Sequence, residues 1–153
     1  MTWCGAFAVV LGLLNGCGVP ATTTSPRPSV PTPADYAATL LAATNAARTA
    51  EDLPSLAPSV CATTSAAGRA EALAGRGVLE HAPLGPVLRE CAPATTAAEN
   101  LSLAEVQPAD VVDAWMQSPG HRANILDAGL SEIGVACVPD ADKMLCAEVF
   151  LGP

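Results

Sequence analysis

The sequence predicts one α+β domain, and three observations carry that prediction. Between residues 32 and 118 apolar side chains recur at helical spacing behind recognisable helix starts. After residue 132 the period changes to strict alternation, and four cysteines are spread over both parts. A chain of 153 residues has room for one ordinary domain. It holds only two Trp, two Phe and one Tyr, so alanine, leucine and valine must supply most of the buried area. A formal net charge of -8 removes the basic footprint that nucleic acid requires, and nucleic acid is excluded as a partner.

The N-terminal elements read as export and attachment. Gly5 to Leu14 is an uncharged run of the length of a secretory hydrophobic region and too short to span a bilayer, which makes residues 1–16 a signal peptide. The following Leu14-Asn15-Gly16-Cys17 resembles the lipobox of bacterial lipoproteins, so Cys17 is the expected lipidation site and membrane anchor. From Gly18 to Pro33 the chain is Pro-, Thr- and Ser-rich and cannot bury a core; residues 17–33 form an extended tether.

Thr32-Pro33-Ala34-Asp35 opens a helix over about 33–50, with Thr as N-cap and Pro at the first helical position, and Tyr36, Leu40, Ala43 and Ala47 on its inner face. An alanine-rich helix follows from Cys61 to Leu73, stopped by Gly75 and Gly77. Residues 82–98, with Pro83, Gly85, Pro86 and Pro93, read as loop. Pro108 and Asp110 open a third helix that ends near Ser118. Ser118 then caps a short helix through Pro119, which places His121 in a first turn whose positive end favours neutral imidazole. Ile133, Val135 and Cys137 alternate with polar or small residues, a Pro-Asp-Ala-Asp turn follows, and Met144 to Phe150 alternates again: a hairpin. Trp115 and Phe150 read as core anchors.

Apart from Cys4 and Cys17, the cysteines are Cys61, Cys91, Cys137 and Cys146, which allow three pairings. Cys137 and Cys146 fall on the same face of the hairpin and pair with each other, leaving Cys61 with Cys91. In the chain-entropy model the two loops contribute about 2.7 and about 3.7 kcal/mol. No Cys-x-x-Cys spacing points to a thiolate zinc site.

The stretches Ala98-Glu99-Asn100-Leu101, Trp115-Met116-Gln117-Ser118-Pro119-Gly120-His121-Arg122-Ala123-Asn124-Ile125-Leu126 and Glu132-Ile133-Gly134-Val135 resemble the bacterial branch of the CAP superfamily, the family of cysteine-rich secretory proteins, antigen 5 and pathogenesis-related proteins. The resemblance covers about residues 34–153. It implies a three-layer α-β-α sandwich with a small antiparallel sheet and a cleft lined by two histidines and acidic residues, which in some members holds zinc or another divalent ion. His81, Glu99 and His121 match three positions of that cleft and are the expected metal ligands, within reach of one ion. The family's second glutamate is replaced here by Ser118. Asn100 is expected to bond backbone and orient Glu99. Glu148 reads as a solvent-facing residue or cross-strand partner, or else as an acidic wall of the cleft.

Three functions compete. The first is an exported, lipid-anchored surface module whose cleft binds a small ligand, lipid or peptide, with an envelope protein as a further partner. The second is a metal-dependent hydrolase with Glu99 as general base; no residue is otherwise assigned to catalysis. The third is an envelope structural or stress factor with a vestigial cleft.

Overall fold

The computed structural model describes Met1 and residues 31–153; the signal segment, Cys17 and most of the tether lie outside the described residues. In chain order the elements are α1 (Pro33–Ala50), β1 (Ala57–Pro58), α2 (Val60–Leu73), α3 (Gly85–Glu90), β2 (Thr96–Ala104), α4 (Pro108–Gln117), α5 (Pro119–Ile125), β3 (Glu132–Asp140) and β4 (Lys143–Gly152). None of the described helices is long and apolar enough to cross a membrane.

Helix α1 starts as its sequence dictates, with the Thr32 hydroxyl accepting from the Asp35 N–H at 3.1 Å and Pro33 in the first turn. Its buried stripe is Tyr36, Leu40, Thr44 and Arg48, while Ala43 and Ala47 are only partly buried beside it. The polar pair displaces the expected alanines because both side chains find partners inside: Thr44 bonds Glu148 at 2.8 Å, and Arg48 bonds backbone carbonyls. Helix α2 buries Ala62, Ala66 and Ala70, spaced one turn apart, and these small side chains let its backbone lie close to the sheet.

The sheet runs β1-β3-β4-β2, with β1 parallel to β3 and the two remaining pairings antiparallel. Its two faces carry separate cores. On one, Ile133, Val135, Cys137, Cys146 and Phe150 pack under α1, α4 and α5 with Tyr36, Leu40, Trp115 and Ile125. On the other, Leu101, Leu145, Ala147, Val149 and Leu151 pack under α2 and α3 with Ala62, Ala66, Leu73 and Val87. This is the three-layer α-β-α sandwich.

Both disulfides form as paired from the sequence. Cys61–Cys91 fastens the first turn of α2 to the end of α3, and Cys137–Cys146 joins residues directly opposite in the hairpin. The turn is tighter than expected: Asp140 pairs with Lys143, and Ala141 takes a positive φ of 55°.

Residues 82–98 are not one loop, because they contain α3 and the start of β2. Gly85-Pro86 sits at a helix start, where proline is as much at home as in a loop. Strand β2 is covered on both faces in its centre, from Glu99 to Ser102, so it shows no alternation, and its Ala, Glu and Leu residues favour helix. Pairing with β4 over nine residue pairs, Thr96↔Gly152 to Ala104↔Met144, overrides that preference.

Gly134 on β3 shows how tight the α2 layer is, since a Cβ there would collide with the backbone of Ala62 and Thr63. Gly134→Ala is expected to lower stability by about 1–3 kcal/mol through overpacking, read as a lower urea midpoint with unchanged slope. An unchanged midpoint would mean that α2 shifts freely.

Candidate functional site

The site grows from one dipeptide on an edge strand. Successive residues of a strand point to opposite faces, so Glu99 and Asn100 of β2 serve different layers. Glu99 turns to the α2 side, with its side chain 2 % exposed. Its Oε2 accepts from Arg69 Nε at 2.6 Å, and its Oε1 accepts from Arg69 Nη2 at 3.2 Å, a bidentate fork. The same Oε1 lies 2.8 Å from His81 Nδ1. A carboxylate can only accept, so Nδ1 carries the hydrogen and donates it, and the outer nitrogen of the exposed His81 ring takes no part in this contact. Arg69 Nη2 also donates to the Glu80 carbonyl at 2.9 Å, tying the His81 loop to α2.

Asn100 turns to the other side and is fully buried. Its Oδ1 accepts from Asn124 Nδ2 at 2.9 Å, and its own amide reaches the His121 carbonyl at 3.4 Å. Asn124 donates to the Glu99 carbonyl at 3.1 Å, and Trp115 Nε1 donates to the Leu101 carbonyl at 3.2 Å. Side chains of α4 and α5 thus satisfy the edge strand's free carbonyls where a neighbouring strand would otherwise do so.

His121 is half-buried in the first turn of α5, its ring centroid 6.1 Å from that of Trp115. Its pKa is lowered, first by burial and then by the charge of His81, so it tends to the neutral form expected from sequence, with desolvation as the main cause. The direct contact is between His81 and Glu99; the described residues near His121 reach it through its carbonyl and the Trp115 ring.

A metal ion does not suit this donor set. Both Glu99 oxygens are already engaged by Arg69 and His81, and among the described residues no three His, Cys, Asp or Glu side chains gather closely enough to hold an ion. What the arrangement forms is a cleft of about 330 Å³ beside the edge strand, lined by His81, Ala82, Leu84, Ala98, Glu99 and Asn124. A larger groove lies at the β3–β4 turn and a smaller one beside Pro93 near the C-terminus, but neither is lined by a histidine.

Three expected cleft residues, Asn100, Ser118 and Glu148, are not among those that line it, nor is His121, and Asn100 bonds Asn124 and the His121 carbonyl instead of orienting the Glu99 carboxylate. Glu148 is neither solvent-facing nor a cleft wall: it pairs with Asn100 and Val135 across the sheet and is completely buried on the α1 side. Strand parity requires this, because Glu148 shares the face of Cys146 and Phe150. Its Oε1 accepts from Thr44, while Oε2 has no partner. Burial pushes its pKa up to about 8, with Thr44 and Asn100 pulling the other way. Ser118 occupies the expected cap position between α4 and α5, yet its hydroxyl makes no capping bond; its carbonyl accepts from the Arg122 N–H at 2.9 Å. Arg69, Arg48 and Thr44 were missed because a polar residue on an alanine-rich helix reads as exposed until its partner is known, and their partners come from sequence separations of 6 to 104 residues.

A model of the cysteine-rich secretory protein family, CAP, matches residues 41–150, more than two thirds of the chain. A curated protein of Bacillus subtilis, YkwD, described as uncharacterized, is 40% identical over 57 residues, which cover 37% of this chain and 21% of that protein. The structure of a cysteine-rich secretory protein from Staphylococcus aureus superposes with a TM-score of 0.68 at 21% identity over 82% of this chain and 40% of that one. An outer surface protein from Borrelia burgdorferi gives a TM-score of 0.66 at 19% identity, covering 75% of this chain and 90% of that one. The chain spans about a fifth of the curated relative's length and less than half of the staphylococcal structure.

Proposed function

Because the chain belongs to the cysteine-rich secretory protein (CAP) family, we propose that it is an exported, surface-anchored module whose cleft binds an uncharged small ligand or a short segment of an envelope protein. The observation that carries this reading is the state of Glu99. A general base must present a lone pair to water, and here the fork of Arg69 and the imidazole of His81 take three hydrogen bonds on the two carboxylate oxygens, while the side chain is only 2 % exposed, so water has little access to what remains. Paired in this way, the carboxylate and guanidinium cancel, leaving a cleft with no net charge to offer beyond the outer nitrogen of His81. Such a surface fits hydrogen-bonding recognition of a neutral partner better than hydrolysis.

Location outside the cytoplasm is supported by the two disulfides, which persist in oxidising compartments, and by relatives described as secretory or outer-surface proteins. Attachment through a lipidated Cys17, with residues 1–16 removed as signal peptide and residues 17–33 as tether to the domain at 34–153, completes the proposal.

Detergent-phase partitioning of cells expressing the full chain tests the anchor. The protein is expected in the membrane fraction and Cys17→Ala in the medium or unprocessed; identical distributions would remove the anchor. Incubation with a fluorogenic peptide library tests the binding reading. Wild type is expected to show no turnover above a blank, and turnover that disappears in Glu99→Gln would replace the binding module with a hydrolase.

A further inference from the structure

We propose that Arg69 serves the cleft as a built-in cation, taking on Glu99 the place a divalent metal ion would need, so that the site works without a metal and Arg69 is what keeps one out. The geometry leaves an ion little room on the carboxylate: Arg69 holds Oε2 at 2.6 Å and Oε1 at 3.2 Å, His81 holds Oε1 at 2.8 Å, and these three bonds leave of the roughly four lone-pair positions only one on Oε2, beside the guanidinium. An ion on either oxygen would face the guanidinium at close range. That like-charge contact is screened little, because the Glu99 side chain is 2 % and the Arg69 side chain 17 % exposed.

Nor can Arg69 step aside at small cost. Its Nη2 also donates to the Glu80 carbonyl at 2.9 Å, so withdrawing the guanidinium breaks three hydrogen bonds and releases the loop that carries His81. A metal ion and this arginine would do the same two things, neutralise Glu99 and fix His81 beside it, which makes them alternatives. The guanidinium is the permanent one, since its charge persists at any physiological pH and its planar fork matches a carboxylate. The inference holds whichever ligand the cleft takes and does not depend on attachment to a membrane.

The chain contains two histidines, so the imidazole proton NMR signals of the full-length protein report on His81 and His121 separately once His81→Ala has assigned them. Zinc chloride is added to one equivalent at neutral pH. The expected result is that neither signal moves in wild type or in Arg69→Lys, which keeps the positive charge. In Arg69→Met, which keeps the hydrocarbon stem and loses the charge, the His81 signal should shift, saturate near one equivalent and return when EDTA is added. A saturable shift of both histidines in wild type would overturn the proposal, as would an Arg69→Met protein that folds by circular dichroism yet ignores zinc. Should that variant fail to fold, Arg69→Gln takes its place with the same expectations, and the wild-type titration decides in either case.

Discussion

Arg48→Met should lower the unfolding free energy by about 3–5 kcal/mol and the midpoint of thermal unfolding by about 10–20 °C. Arg48 is completely buried, and its guanidinium donates to the carbonyls of Pro54 at 2.9 Å, Ile125 at 2.7 Å and Asp127 at 2.8 Å, with Leu130 at 3.5 Å. Methionine fills much of the volume but supplies no donor, so these carbonyls lose their partner where water enters poorly, at a cost of about 1–3 kcal/mol for each one left unsatisfied. Burial lowers the pKa of the guanidinium, and Asp127 opposes that shift, so the charge survives inside. Arg48→Lys is expected to rescue little, since a compact ammonium cannot span the fork of carbonyls. Calorimetry on the three proteins decides. A methionine variant within about 1 kcal/mol of wild type would show that the loops 53–56 and 125–130 hold themselves together.

The second large effect depends on pH. Glu148 has a folded pKa raised to about 8 from an ordinary value of 4.5, so between those values the folded chain keeps a proton that the unfolded chain has released. The folded state binds more protons there, and stability therefore falls as pH rises: the contribution is complete below about 4.5 and lost as pH passes through about 8. Glu148→Gln keeps the shape and cannot ionise. Relative to wild type it should gain roughly 1.4 kcal/mol per pH unit across that window, reaching roughly 3–5 kcal/mol on the alkaline side, while the two proteins differ little below pH about 4.5. Urea unfolding at a series of pH values measures this difference directly. Parallel stability profiles would mean that the carboxyl ionises inside at no cost, through water reaching Oε2.

Thr32-Pro33, the alanine-rich run stopped by Gly75 and Gly77, and the period change after residue 132 each encode an element through interactions that span only a few residues, which is why α1, α2 and the β3–β4 hairpin were legible. The pairing of Cys137 with Cys146 follows from the same parity, and it left Cys61 to Cys91. Strand β2 was not legible, because a strand covered on both faces loses its alternation and is specified by its partner β4. The site divides in the same way. Glu99, His81 and His121 stand out in the sequence through rarity and motif, and the contact between His81 and Glu99 agrees with it. Parity places Glu148 in the core as soon as Cys146 and Phe150 are there, but the charge state that follows depends on its complete desolvation.

What the sequence determined by itself is therefore the set of local events: helix starts, the hairpin, the cysteine framework and the residues able to do chemistry, all of which depend on neighbours along the chain. What the tertiary structure decided is which charges meet. Arg69 reaches Glu99 across 30 residues and Thr44 reaches Glu148 across 104, and Arg48 finds carbonyls 77 and 79 residues away. The worth of a charge or hydrogen bond is set by its partner and by the water removed around it. Both exist only once the layers have closed, so the sequence could name Glu99 while the fold alone made it the partner of an arginine.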